Sequence, residues 1–323
     1  MTTSALATVA ATLQQHPDAL SGGVRLLPIT TPHGDFQVWT RRVGASPRIK
    51  LLLLHGGPGA TSEYFECFDS HLPAAGIELI HYDQLGSHRS SQPDNDALWE
   101  LPRFVDEVEQ VRLALGLNAS NFFLLCHSWG GILATEYALA HGQHLKGLVI
   151  SNMVASIPAY NRYAQEALMP GIAPAVLAEI QALETSGDTA NPRYMELLVP
   201  HHYEQHVLRM PAAQWPDPVQ RAFAHLNQKV YVPMQGPSEL GASGKLLHWD
   251  RLADLPKITV PTLTIAGAHD TMEPALMQAM AESMPHGQHL HCPNGSHMAM
   301  YDDPVPYIGG LIEFLRAVDA TAR

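Results

Sequence analysis

A mainly parallel α/β sheet covered by helices, with an inserted and mostly helical cap, is the fold class this sequence predicts, on three observations. Apolar runs of strand length alternate with stretches of helical periodicity, the pattern of units that lay a parallel sheet between two layers of helix. One run, Asn121 to Cys126 (NFFLLC), passes through His127-Ser128-Trp129 into a helical stretch from Gly130 through Ala140. From about Pro158 to about Gly244 the alternation stops, and segments rich in Ala, Met, Tyr, Pro and His replace it.

Taken in order, Val24 to Thr31 and Asp35 to Val43 read as an antiparallel pair turning at Pro32-His33-Gly34. The parallel strands follow at Lys50 to Leu54, Glu78 to Tyr82, Asn121 to Cys126, Gly147 to Ser151, Thr262 to Ala266 and Gln288 to His291. Leu101 to Leu115 has helical periodicity with Gly116 as its stop signal, and Val305 to Val318 reads as a terminal helix. This divides the chain into a core over 1–157, a helical cap over 158–244 and the rest of the core over 245–323. Tyr160, Tyr163, Met169, Tyr203 and Trp215 in the cap read as packing residues rather than a ligand cage.

Composition sets bounds. The 323 residues suit one α/β core with an insertion, and Lys+Arg 19 against Asp+Glu 31 gives a net charge of -12. An acidic surface argues against nucleic acid and anionic membranes, both of which call for a basic patch. Cys67, Cys126 and Cys292 cannot all pair and match no zinc spacing, which points to a reducing compartment, no metal and a cytoplasmic location. The opening MTTSALATVAATLQQHPDALSGG lacks the basic and apolar regions of a signal peptide, and no run is long enough for a membrane span. No phosphate-binding loop is visible, so no nucleotide or other cofactor is implied.

The chemistry sits at the strand ends. A serine on a sharp strand-to-helix turn is pushed clear of the backbone toward substrate, and this requires small neighbours. Ser128 fits as the nucleophile, although Cys126 replaces the usual first glycine; the competing reading makes it a simple helix N-cap. Upstream, the apolar Leu51 to Leu54 runs into His55-Gly56-Gly57-Pro58-Gly59, a glycine-rich turn that leaves amides free to bind an oxyanion. The Gly57 and Trp129 N–H groups are assigned that role. A serine hydroxyl also needs a base, and the base needs an orienting acid. Asp270 closes the run Val260 to Asp270, and His297 follows Leu290 to Ser296, which gives the order serine, acid, histidine. Among the 19 histidines, His269 and His291 are rivals for the base, and Glu273 is a rival acid. Asp83-Gln84, after another strand, reads as structural, fixing loops beside the oxyanion turn; a pairing of Arg89 with Asp83 is left open.

Together HGGPG, His81-Tyr82-Asp83-Gln84-Leu85-Gly86-Ser87-His88-Arg89-Ser90 and Ser128-Trp129-Gly130-Gly131 resemble the proline iminopeptidase family of α/β-hydrolases, which includes the tricorn-interacting aminopeptidase and bacterial L-amino-acid amidases. The resemblance implies an α/β-hydrolase fold and cleavage, through an acyl-enzyme, of the amide after an amino acid with a free α-amino group. Tyr231 to Leu240 resembles the family's cap segment, in which a glutamate meets the substrate ammonium, and Glu239 matches it. A carboxylate in a poorly hydrated pocket gains from a cationic amine and is left unpaired by an N-acyl analogue. The chain departs from some relatives at Thr271, where they carry a second glutamate, so Thr271 or Glu273 becomes a secondary candidate for the amine. The implied partner is a small molecule or short peptide with a free amine. A carboxylesterase or carbon–carbon hydrolase would use the same triad. An epoxide hydrolase or dehalogenase would carry aspartate in place of Ser128, and a pure binding protein would be expected to lack a triad member.

Overall fold

The computed structural model describes residues 17–321 together with 7, 9, 10, 13 and 14. The remainder of the opening stretch read for a leader lies outside the described residues.

Eight strands form one sheet in the order β1-β2-β4-β3-β5-β6-β7-β8. They are β1 (Val24–Thr31), β2 (Gly34–Val43), β3 (Lys50–Leu54), β4 (Glu78–Asp83), β5 (Phe122–His127), β6 (Gly147–Ser151), β7 (Thr262–Gly267) and β8 (Gly287–Cys292). Only the β1–β2 and β2–β4 pairings are antiparallel. From β4 onward every neighbour is parallel, with registers such as Leu54↔Tyr82, Leu54↔Cys126 and Cys126↔Ile150. These registers bring the carboxyl ends of the strands to one edge, where open α/β sheets place their ligands.

The central strands are buried and largely apolar because both faces are covered. Leu51 to Leu54 are all 0% exposed, and alternate members join opposite clusters, Leu52 and Leu54 on one face, Leu51 and Leu53 on the other. Burial of each such side chain is worth about 1.5–3 kcal/mol. Helix α1 (Leu101–Ala114) presents Phe104, Val108 and Val111 at helical spacing to the first cluster, and Gly116 after it takes φ +66°. Helix α2 (Trp129–His141) is buried along most of its length. Its first glycines are steric requirements: a Cβ at Gly130 would lie 2.3 Å from the Leu54 carbonyl oxygen, and one at Gly131 would lie 2.5 Å from Met153 Cβ.

Between β6 and β7 the chain leaves the sheet for α3 (Ile157–Tyr163), α4 (Pro174–Ser186), α5 (Pro192–Leu198), a π-helical stretch (Val199–Val207), α6 (Asp217–Ala224) and α7 (Gln228–Met234). Ser156, Asn191 and Asn227 start α3, α5 and α7 with side-chain caps on Ala159, Arg193 and Lys229 amides. The two ends of the insertion meet at a stem: Ser156 pairs with Asp250, Ile157 N–H donates to Trp249 O at 2.9 Å, and Arg251 N–H to Ala155 O at 2.8 Å. Helices α8 (Pro274–Ser283), α9 (Ala299–Asp302) and α10 (Pro304–Thr321) complete the chain. The last begins one residue before the expected Val305, with proline at its first position, where no N–H is needed. No helix among the described residues is long and apolar enough to cross a membrane.

Candidate active site

Ser128 lies between β5 and α2 with φ +55° and ψ −131°, a conformation that side chains rarely adopt. Its hydroxyl makes no cap to the helix, so the N-cap reading fails. The turn is crowded on its other side as well: a Cβ on Gly56 would approach Ser128 Cβ to 2.9 Å. Cys126 is tolerated in place of glycine because its side chain turns into the sheet, where Sγ–H donates to Val149 O.

Ser128, His297, Glu239, Gly57 and Tyr231 share a small cleft walled by apolar residues, among them Phe223, Leu226 and Met298. His297 Nδ1 lies 2.8 Å from Asp270 Oδ1, and both side chains are buried. A carboxylate can only accept here, so Nδ1 carries the proton and Nε2 is left basic. Nε2 is buried with no hydrogen-bond partner among the described residues. Burial opposes the imidazolium, but the charge and hydrogen bond of Asp270 outweigh it and raise the His297 pKa above its ordinary value.

Asp270 is itself fixed from several sides. Asn152 Nδ2 donates to its Oδ2 at 2.6 Å, and the Met272 N–H donates to its Oδ1 at 3.1 Å. Asn152 follows β6 with φ +56°, and its Oδ1 accepts from Ser151 Oγ at 2.5 Å. Thr271 Oγ1 sits 3.3 Å from Asp270 Oδ1 and 3.1 Å from His297 Nδ1. Its hydroxyl is therefore taken up by the acid and the base. Neither Thr271 nor Glu273 lines the cleft, and Glu273 stands at the N-terminus of α8. Of the rival histidines, His291 is exposed on β8, and His269 is absent from the cleft wall.

The glycine-rich turn stands opposite Ser128. Gly57 has φ +104°, and a Cβ there would meet Ala60 N at 2.7 Å. Trp129 opens α2, where an amide has no intrahelical acceptor. The strand-end residues brace this turn as the sequence suggested. Gln84 N–H donates to His55 Nε2 at 3.0 Å, Gln84 Nε2 to His55 O at 3.1 Å, and Trp129 Nε1 to Gln84 Oε1 at 3.0 Å. Asp83 Oδ1 accepts from the Ser62 amide and hydroxyl, and Arg89 pairs with the other Asp83 oxygen at 3.6 Å.

Glu239 is half-buried rather than a solvated surface charge. Tyr231 O–H donates to its Oε1 at 2.6 Å, while its backbone carbonyl accepts from Tyr160 Oη at 2.7 Å and His202 Nε2 at 3.0 Å. Sequence reasoning missed Tyr64, His127, Asn152 and the orienting contacts of Thr271. The one local signal was position, since His127 and Asn152 each end or directly follow a strand at the carboxyl edge.

A family model described as the alpha/beta hydrolase fold matches residues 50–304. A proline iminopeptidase of Flavobacterium johnsoniae is 50% identical over 294 residues, covering 91% of this chain and 98% of that protein. One from Elizabethkingia meningoseptica is 51% identical over 296 residues, with 91% and 98% covered. Among solved structures, a proline iminopeptidase of Mycobacterium smegmatis superposes with a TM-score of 0.81 at 29% identity, covering 93% of this chain and 100% of that one. VinJ superposes with a TM-score of 0.83 at 28% identity, covering 91% and 99%.

Proposed function

This chain belongs to the proline iminopeptidase family of α/β-hydrolases, and from that premise we propose that it releases an N-terminal residue with a free α-amino group, proline foremost, from short peptides and amides. Ser128 Oγ attacks the carbonyl carbon while His297 Nε2 takes its proton, and Asp270 holds the imidazole in the required tautomer. The negative oxygen of the tetrahedral intermediate is held by the Gly57 and Trp129 N–H groups. Collapse breaks the C–N bond as His297 returns the proton to the leaving amine. Water, deprotonated by the same base, then attacks the acyl carbon, and the ester bond breaks as His297 hands that proton to the departing Ser128 Oγ. Glu239 binds the substrate ammonium, and residues 158–244 act as the cap that shapes the cleft and limits water. No step calls for a metal or cofactor.

The observation that carries this reading is that a half-buried carboxylate, oriented by Tyr231, shares one small apolar cleft with Ser128 and His297. An ester-only enzyme has no use for that charge. The three thiols are free, in keeping with the cytoplasm as the proposed compartment.

The test compares initial rates on prolyl and alanyl p-nitroanilides, their N-acetylated forms and p-nitrophenyl acetate, with Ser128→Ala as control. Fast cleavage of the free-amine amides that N-acetylation suppresses and Ser128→Ala abolishes supports the proposal, whatever slower rate p-nitrophenyl acetate shows. Indifference to acetylation would leave the triad standing and reassign the protein as a general acyl hydrolase.

A further inference from the structure

Three segments must keep fixed distances for this chemistry: the glycine-rich turn after β3, the Ser128 turn after β5 and the His297 loop after β8. They are joined by a single buried chain of hydrogen bonds. Gly56 N–H donates to Tyr64 Oη at 2.6 Å, His127 Nδ1 lies 3.1 Å from that same oxygen, and His127 Nε2 lies 2.7 Å from the His297 carbonyl oxygen. We propose that His127, acting through Tyr64, is a positioning residue that locks the oxyanion turn and the base-bearing loop to the nucleophile.

The proton positions follow from the partners. A carbonyl oxygen only accepts, so His127 Nε2 carries the proton. Nδ1 of the neutral ring then accepts from the Tyr64 hydroxyl, whose oxygen still has a lone pair for Gly56 N–H. Each link runs one way, and no second arrangement satisfies the same atoms. The ring must also stay neutral. Its centroid is 4.8 Å from that of His297, which becomes cationic each time it takes the Ser128 proton. Burial, reinforced by the His297 charge, lowers the His127 pKa to about 3. Tyr64 is buried likewise, its pKa raised well above its ordinary value, so it remains a donor. The far side of Tyr64 is anchored by Tyr301 O–H, which donates to its carbonyl at 2.7 Å.

This inference rests on the proposed roles of Ser128 and His297, but its test fails separately from theirs. The variants are His127→Phe, His127→Gln and Tyr64→Phe, each measured for kcat, KM and the pH profile on prolyl p-nitroanilide and p-nitrophenyl acetate, with Ser128→Ala beside them. Misplacing catalytic groups by about 1 Å costs on the order of 100-fold. His127→Phe and Tyr64→Phe should therefore lower kcat roughly 10- to 100-fold on both substrates, with KM within about threefold, and should shift the acid limb as the His297 ring leaves Asp270. Glutamine retains a donor toward the His297 carbonyl, so His127→Gln should recover most of the loss. Full activity in His127→Phe, or a loss that tracks only the folded fraction with an unmoved pH profile and no glutamine rescue, overturns the proposal. If His127→Phe does not fold, Tyr64→Phe decides, since it removes one hydroxyl and keeps the ring. Activity surviving in Ser128→Ala would instead sink the underlying mechanism.

Discussion

At the scale of single residues, the proposed function puts discrimination for a free amine on Glu239, because the position beside Asp270 carries Thr271, whose hydroxyl is engaged by Asp270 and His297. A charge-assisted hydrogen bond is worth about 1.5–3 kcal/mol, or roughly 10- to 150-fold. Glu239→Gln should lower kcat/KM on prolyl p-nitroanilide by that factor and leave p-nitrophenyl acetate within about threefold. Equal losses on both would remove its role in amine binding. A second expectation concerns Asn152. Its amide is the donor to Asp270 Oδ2. Removing it in Asn152→Ala leaves a buried carboxylate oxygen short of a partner, which should cut kcat about tenfold with KM little changed. Unchanged kcat would show that the Met272 N–H and His297 suffice to hold the acid. That Ser128, Asp270 and His297 would come together was legible because each follows a strand in a fixed chain order, and the place of Gly57 in the cleft because a glycine-rich turn announces itself. His127, Tyr64 and Asn152 were not legible: their contacts run across the sheet edge, and a place at a strand end, the one local signal for His127 and Asn152, does not by itself separate them from ordinary buried polar residues.

At the scale of elements, the strands and the helices α1, α2 and α10 were readable to within a few residues, the central strands because two-sided burial favours apolar runs, whereas α8 was not read from the sequence. The cap was readable only as a change of pattern. Its π-helical stretch Val199–Val207 shows why: it is held in place by what it docks on, since His206 O and Val207 O accept the His297 and Met298 N–H groups, both at 2.9 Å. Helix α6 docks by charge instead. Arg221 reaches Glu63 at 2.5 Å and Glu66 at 2.6 Å on the segment Ser62–Phe68, and His225 adds a 2.8 Å contact to Glu63. Because Ala222, Phe223 and Leu226 of this region wall the cleft, loss of the ion pairs is expected to loosen that wall. Arg221→Met keeps the aliphatic stem and drops the charge. KM for prolyl p-nitroanilide should rise severalfold, while stability falls only modestly, because Arg221 is partly exposed and Glu63 keeps Arg89. Raising salt should increase KM in the parent protein and do so less in the variant. An identical salt response in both would show that the helix is held by its apolar face alone.

At the scale of the whole molecule, acidity and burial act together on stability. Buried histidines are kept neutral: burial lowers His127 to about 3 and His202 to about 4, against an ordinary value of 6.5, and pushes His55 down as well. Below about pH 6.5 the unfolded chain binds protons at these positions that the folded chain refuses, so stability falls as pH falls through that window. Glu109 adds a later loss. Its hydrogen bonds from Arg112 lower it to about 2 from 4.5, so its contribution is complete above 4.5 and disappears as pH drops toward 2. His297 has the opposite sign. Its pKa is raised in the folded state, so its stabilisation is full below 6.5 and is lost as pH rises through the folded value. The same raised pKa means that catalysis, which needs the neutral base, declines on acidification while the protein is still folded. Thermal melting across pH 8 to 3 should therefore show a shallow fall beginning near 6.5 and a steeper one below about 4.5. The acid limb of kcat/KM should lie above 6.5 and move down in Asp270→Asn, which removes the charge that raises it and should lower kcat about 10⁴-fold. A melting temperature flat from pH 7 to 5 would mean that water reaches His127 and His202, and an acid limb unmoved in Asp270→Asn would mean that a group other than His297 is the base.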